Sequence, residues 1–127
     1  MNIVRNEMFS KVYEVDCFQK EFHSMTKEKF SFSPPFPRYQ KWLIRSLEIL
    51  EEYGEEAIKL QNFEQLENIT PKLFSIRYSK SKLNPRVLYI YLEEGKILLL
   101  AAFKEKSKKD YARNVKLALN RLRILDG

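Results

Sequence analysis

Two arginines, a run of lysines and a tyrosine carry the chemistry this chain could do. Arg77, Arg86, Lys106, Lys108 and Tyr111 fall in one segment, residues 77–113, that holds no His and no Cys. Such a set acts on phosphate. RNA can be cut without a metal, because its own 2′-OH is the nucleophile. A protein must then help deprotonate that hydroxyl, stabilise charge on the phosphorane and protonate the leaving 5′-oxygen. Arginine is not a useful base, so Arg77 and Arg86 are candidate charge stabilisers. A crowded lysine can have a lowered pKa, and a tyrosine can exchange a proton within hydrogen-bond reach. Lys106 or Lys108 and Tyr111 are therefore the acid/base candidates. Lys80, Lys82, Lys104, Lys109 and Arg113 surround them as electrostatic grip on a nucleic acid.

Each of these residues also has a structural alternative. Arg77 and Arg86 could pair with Glu14, Glu93 or Glu94. The lysine run could be a solvated loop. Tyr111 could be the first core residue of its helix. His23 has no partner in sequence. Cys17 adjoins no basic cluster and reads as a small buried residue. There is no Gly-rich phosphate loop, no zinc-ligand spacing and no Ser-His-Asp set, so neither a metal nor a cofactor is expected.

The elements that must position these groups follow from periodicity. Lys11–Val15 alternates and is rich in β-formers, which predicts a first strand. Asp16 and Gln19 have capping-box spacing, and Phe18, Phe22, Met25 and Phe30 recur at helical period. Ser33-Pro34-Pro35-Phe36-Pro37 breaks that helix. A second helix is predicted from Arg38 to Tyr53, stopped by Gly54, with a helical turn or two over 55–61. Leu73–Tyr78 and Arg86–Leu92 read as strands joined by the loop Ser79–Pro85. Glu93-Glu94-Gly95 turns the chain into Lys96–Phe103, apolar on both faces and so in need of cover on both. A last helix is predicted from Asp110 to Leu125, with Tyr111 at its positive end, where N–H groups suit an anion. Residues two apart on a strand share a face, so an extended backbone would aim Lys104, Lys106 and Lys108 one way and Glu105 the other. The order is β-α-α-β-β-β-α, an α+β fold with the N-terminal helical pair on one face of a small sheet.

Length and composition bound the rest. A chain of 127 residues suits one domain, here residues 1–127, and 44% hydrophobic residues suffice for a packed core. One cysteine forms no intrachain disulfide, which suits a reducing compartment. No apolar run is long enough to span a bilayer, and no signal-peptide core is present, so a cytoplasmic protein with no membrane partner is expected. Charge is segregated. Residues 1–71 hold 9 Lys/Arg against 12 Asp/Glu, a net of −3, whereas residues 72–127 hold 14 against 5, a net of +9. The basic half is the natural face for a polyanion.

Leu73-Phe74-Ser75-Ile76-Arg77, then Arg86-Val87-Leu88-Tyr89-Ile90, then Gly95 through Ser107, and finally Lys116–Leu122 on the last helix resemble the RelE/ParE toxin superfamily. They are closest to its HigB-like, phage-derived branch. The likeness covers residues 63–125, with weaker agreement at Val15–Phe18. It implies a RelE-like fold and the toxin half of a type II toxin–antitoxin pair. Many such toxins cleave mRNA in the ribosomal decoding site with Arg, Lys and Tyr side chains. Carried over by position, Arg77 and Arg86 match the strand cations, Lys106 or Lys108 the cation after the last strand, and Tyr111 the late tyrosine. Ser75 stands where some ribosome-dependent members have Lys and others Glu, and Ala102 stands where His or Gly is common, so the general base is left open. The implied partners are mRNA, the ribosome and a helix-turn-helix antitoxin from the adjacent gene. The rival readings are a non-enzymatic toxin of the same superfamily that binds a protein target such as gyrase, and a phage nucleic-acid-binding accessory protein.

Overall fold

The computed structural model describes residues 1–126 and places them in a mixed α+β fold, six strands in one sheet with three helices. In chain order these are β1 (Ile3–Arg5), β2 (Val12–Val15), α1 (Phe18–Thr26), α2 (Arg38–Tyr53), β3 (Phe63–Gln65), β4 (Phe74–Arg77), β5 (Pro85–Tyr91), β6 (Ile97–Lys104) and α3 (Lys108–Asp126). The sheet runs β1-β2-β6-β5-β4-β3. Only β2 and β6 are parallel; every other pair is antiparallel. The central strand β6 is buried from Ile97 to Phe103, and α1 and α3 both pack against it.

Two strands go beyond the expected order. β1 is exposed along its whole length, and β3 buries only Phe63 well. Three-residue edge strands leave almost no alternation to detect. β1 exists because β2 offers it a partner. Asn6 closes the connection, its Oδ1 accepting from the backbone N–H groups of Met8 (2.8 Å) and Phe9 (3.1 Å).

The helices differ from expectation in their ends. α1 stops at Thr26, short of Phe30, because Lys27 turns left-handed at φ 65°. Glu28 is thereby freed to cap α2, accepting from the backbone N–H groups of Tyr39 and Gln40 at 3.0 Å. The Asp16–Gln19 capping box is not formed. Asp16 accepts from the N–H of Asn2 (3.1 Å), and Gln19 donates to Glu14 (2.6 Å). α2 has the predicted bounds and ends at Gly54, whose φ of 57° favours glycine. A 3-10 turn, Gly54–Lys59, follows it. α3 begins at Lys108, two residues before expectation. Its start is a reciprocal cap: Ser107 Oγ accepts from the Asp110 N–H (3.3 Å), and Asp110 Oδ2 accepts from the N–H groups of Lys106 (2.8 Å) and Ser107 (3.1 Å).

Candidate functional site

The register of β4 on β5 sets Arg77 directly opposite Arg86. Like charges facing across a strand pair repel, so this arrangement needs anions. The neighbouring strands supply them. Glu64 on β3 pairs with Ser75, two residues before Arg77 and so on the same face. Glu105 follows the end of β6, where Phe103 lies opposite Arg86 and Lys104 opposite Pro85. A two-way clamp holds Glu105 in place: Asn84 Nδ2 donates to its carbonyl (2.8 Å), and its N–H donates to the Asn84 carbonyl (3.0 Å).

Arg86 is 4% exposed and fully engaged. Its Nε donates to Ser75 Oγ (3.1 Å), Nη1 to both Glu105 oxygens (2.9 and 3.1 Å), and Nη2 to Glu64 Oε1. Ser75 Oγ donates in turn to Glu64 Oε1 (3.0 Å), and the Tyr111 ring lies 4.7 Å from the guanidinium carbon. Arg77 is held more loosely. Its Nη atoms lie 3.9 Å from Glu64 and 3.6 Å from Glu105, its side chain is 35% exposed, and its buried Nε has no hydrogen-bond partner. The carboxylates that face these arginines are thus Glu64 and Glu105. Glu14, proposed as a partner, is instead buried and hydrogen-bonded by Asn6 and Gln19. Burial holds its carboxyl above the usual range.

A cavity of about 490 Å³ opens on this network. Glu64, Arg86, Glu105, Lys108 and Tyr111 are on its wall. Of the acid/base candidates, Lys108 and Tyr111 therefore share one cavity. Lys106 does not line it: its Nζ donates to the Lys82 carbonyl. β6 ends at Lys104, so the expected alternation through Lys108 does not continue. Lys104 and Arg113 line a separate depression with Glu21 and Asp110, and Arg113 is paired with Asp110 at 2.9 Å. Lys80, Lys82 and Lys109 are exposed. The N-terminus of α3 is not open to an anion at Lys106, Ser107 and Asp110, whose N–H groups are all taken by the cap. The Lys106 N–H most of all, then Arg113 and Ser107, hold the Asp110 carboxyl below its usual range.

Glu64 and Glu105 were not among the residues read from sequence as functional. The signal for them is indirect: two arginines on adjacent strands require counter-charges at that level of the sheet. His23 and Cys17 stay outside the site. His23 is exposed, with Nδ1 2.9 Å from the Glu28 carbonyl, and burial raises the Cys17 thiol. Among the described residues, no group of three or more His, Cys, Asp or Glu is placed to hold a metal ion, and no helix is long and apolar enough to cross a membrane.

A six-stranded sheet with three helices and a charged cavity at one strand end is consistent with a small RelE-like fold. Residues 36–123 match the family described as Phage derived protein Gp49-like (DUF891). That span is more than half of the chain, and the chain belongs to this family, itself a member of the RelE/ParE-like toxins. No curated protein and no solved structure matches the chain significantly.

Proposed function

We propose that this protein is the HigB-like toxin of a type II toxin–antitoxin pair and that it cleaves mRNA at the ribosome in the cytoplasm. The observation that carries the reading is the cavity itself. It gathers a carboxylate pair, an ammonium and a phenol beside two arginines, the groups that metal-free cleavage of RNA requires. Glu105 or Glu64 takes the proton of the 2′-OH. The 2′-oxygen attacks the adjacent phosphorus, forming a 2′,3′-cyclic phosphate. Tyr111 or Lys108 returns a proton to the departing 5′-oxygen. Arg77, incompletely paired and partly exposed, holds the non-bridging oxygens. Arg86 positions rather than binds, since moving it to a phosphate would strand two carboxylates. A helix-turn-helix antitoxin from the neighbouring gene masks the site when the toxin is silent.

The test is cleavage of an mRNA programmed on purified ribosomes. Arg77→Ala and Tyr111→Phe are each expected to slow cutting by about 10²–10³-fold while the protein stays folded. Wild-type rates in both would sink the site. One observation favours a second reading, a toxin that binds a protein target: the arginines are faced by carboxylates, which weakens their hold on a polyanion. Growth arrest that survives Arg77→Ala, Lys108→Ala and Tyr111→Phe together would support it.

A further inference from the structure

Arg77 is the last residue of β4 and Tyr78 follows it; Arg77 faces Glu64 and Glu105, whereas Tyr78 packs on Trp42 of α2. Arg77 does not line the cavity already described, but both glutamates do. Tyr78 lines a different one, of about 380 Å³, formed with α2. Arg38, Lys41, Trp42 and Arg45 line it from the helix, at the i, i+3, i+4 and i+7 positions of one face. Trp42 and Tyr78 are stacked, with ring centroids 5.8 Å apart and planes 23° apart. The Arg38 guanidinium carbon lies 5.5 Å from the Tyr78 ring centre and 5.1 Å from that of Tyr39.

Three features set this cavity apart. Its cations are exposed, and among the described residues none of Arg38, Lys41 and Arg45 forms a salt bridge. No carboxylate lines it. Its cations also come from the half of the chain that is acidic overall, so segregation of charge along the sequence does not account for them. Unpaired cations beside a half-buried aromatic pair suit a ligand with flat rings and a charged backbone. Single-stranded nucleic acid has both, whereas an acidic peptide would leave the aromatic faces unused.

We propose that the Trp42–Tyr78 cavity is a non-catalytic subsite for single-stranded RNA. An unpaired base stacks against the aromatic pair, and its flanking phosphates rest on Arg38, Lys41 and Arg45. Adjacent residues of β3 line the two cavities, Phe63 this one and Glu64 the first. The 79–84 loop that follows Tyr78 carries the exposed Lys80 and Lys82. The assignment rests on RNA being the ligand, but not on its being cut.

Trp42 is the single tryptophan of the chain, so tryptophan emission, excited selectively over that of the seven tyrosines, reports this site. The probe is an unstructured, 2′-O-methylated oligoribonucleotide, which binds but lacks the attacking hydroxyl. Titration is expected to quench Trp42 saturably. Lys41→Glu with Arg45→Glu should weaken binding by about tenfold or more and flatten the logarithmic salt dependence by about 1.4, the value for two lost phosphate contacts. Both positions are exposed, and circular dichroism checks the fold. No quenching, or an undiminished affinity in the double variant, overturns the subsite whether or not the protein cuts RNA. Loss of cutting with quenching retained overturns the nuclease reading and spares the subsite. Quenching by a polyglutamate peptide but not by RNA overturns the subsite in favour of an acidic partner.

Discussion

The two sides of the β4 end treat positive charge in opposite ways. On the Arg77 side, a buried guanidinium and a half-exposed one are matched by Glu64 and Glu105. On the Tyr78 side, Arg38 sits on aromatic rings and Lys41 and Arg45 are exposed, and among the described residues none of the three forms a salt bridge. The arginines of the first side come from the basic half of the sequence and are locally balanced. The cations of the second come from the acidic half and are not. Charge along a chain therefore does not locate charge on the folded surface. Desolvation explains the contrast. A buried cation must be neutralised by hydrogen-bonded partners, whereas an exposed one is solvated by water.

The contrast predicts a gradient of stability effects. Arg86→Ala is the largest, expected to cost about 3–5 kcal/mol in urea unfolding, because it leaves Glu64 and Glu105 close together without their shared counter-ion. A loss under about 1 kcal/mol would mean that the balance on this side is not structural. Tyr111→Ala removes the ring that covers the Arg86 guanidinium and should cost about 1–2 kcal/mol. Tyr111→Phe should restore most of that stability without restoring cleavage, which separates the ring from its hydroxyl. Arg77→Ala should cost less than about 1 kcal/mol, since its pairs are long and partly exposed. Lys41→Ala and Arg45→Ala should each change stability by no more than about 0.5 kcal/mol, there being no partner to strand. If either proved costly, the Tyr78 side would hold an interaction that its geometry does not display.

One carboxylate lies outside this comparison and tests the same physics through pH. Burial raises the Glu14 carboxyl, against weaker lowering by the Gln19 and Asn6 hydrogen bonds. A group whose folded pKa is raised stabilises the fold below its unfolded pKa and loses that contribution as pH rises through the folded value. Glu14→Gln is thus expected to raise the urea midpoint at neutral pH. The gain should vanish below about pH 4, where the glutamate is protonated in both states. Equal midpoint differences at both pH values would show that ionisation of Glu14 carries no such cost.

Much of the framework is legible without a structure. The proline break and helical period mark α2 from Arg38 to Tyr53, and the apolar runs mark β5 and β6 as covered strands. The order of Arg77, Arg86, Lys108 and Tyr111 marks where anionic chemistry could occur. These are local properties, set by spacing along a few turns or one strand, so a single sequence carries them. The pairing of charges is not local. Glu64 reaches Arg86 across 22 residues and Glu105 across 19, through the registers of β3 on β4, β4 on β5 and β5 on β6. A slip of one residue in any of these would turn the side chains to the other face. Sequence alone singled out candidate residues for phosphate chemistry and most of the elements that carry them, without β1 and β3. Only the tertiary structure decided that Arg86 is enclosed and Arg77 is not, that two glutamates join the site, and that the unpaired cations lie with Trp42 and Tyr78. Those outcomes depend on which surfaces are withdrawn from water together, and only the packed sheet specifies that.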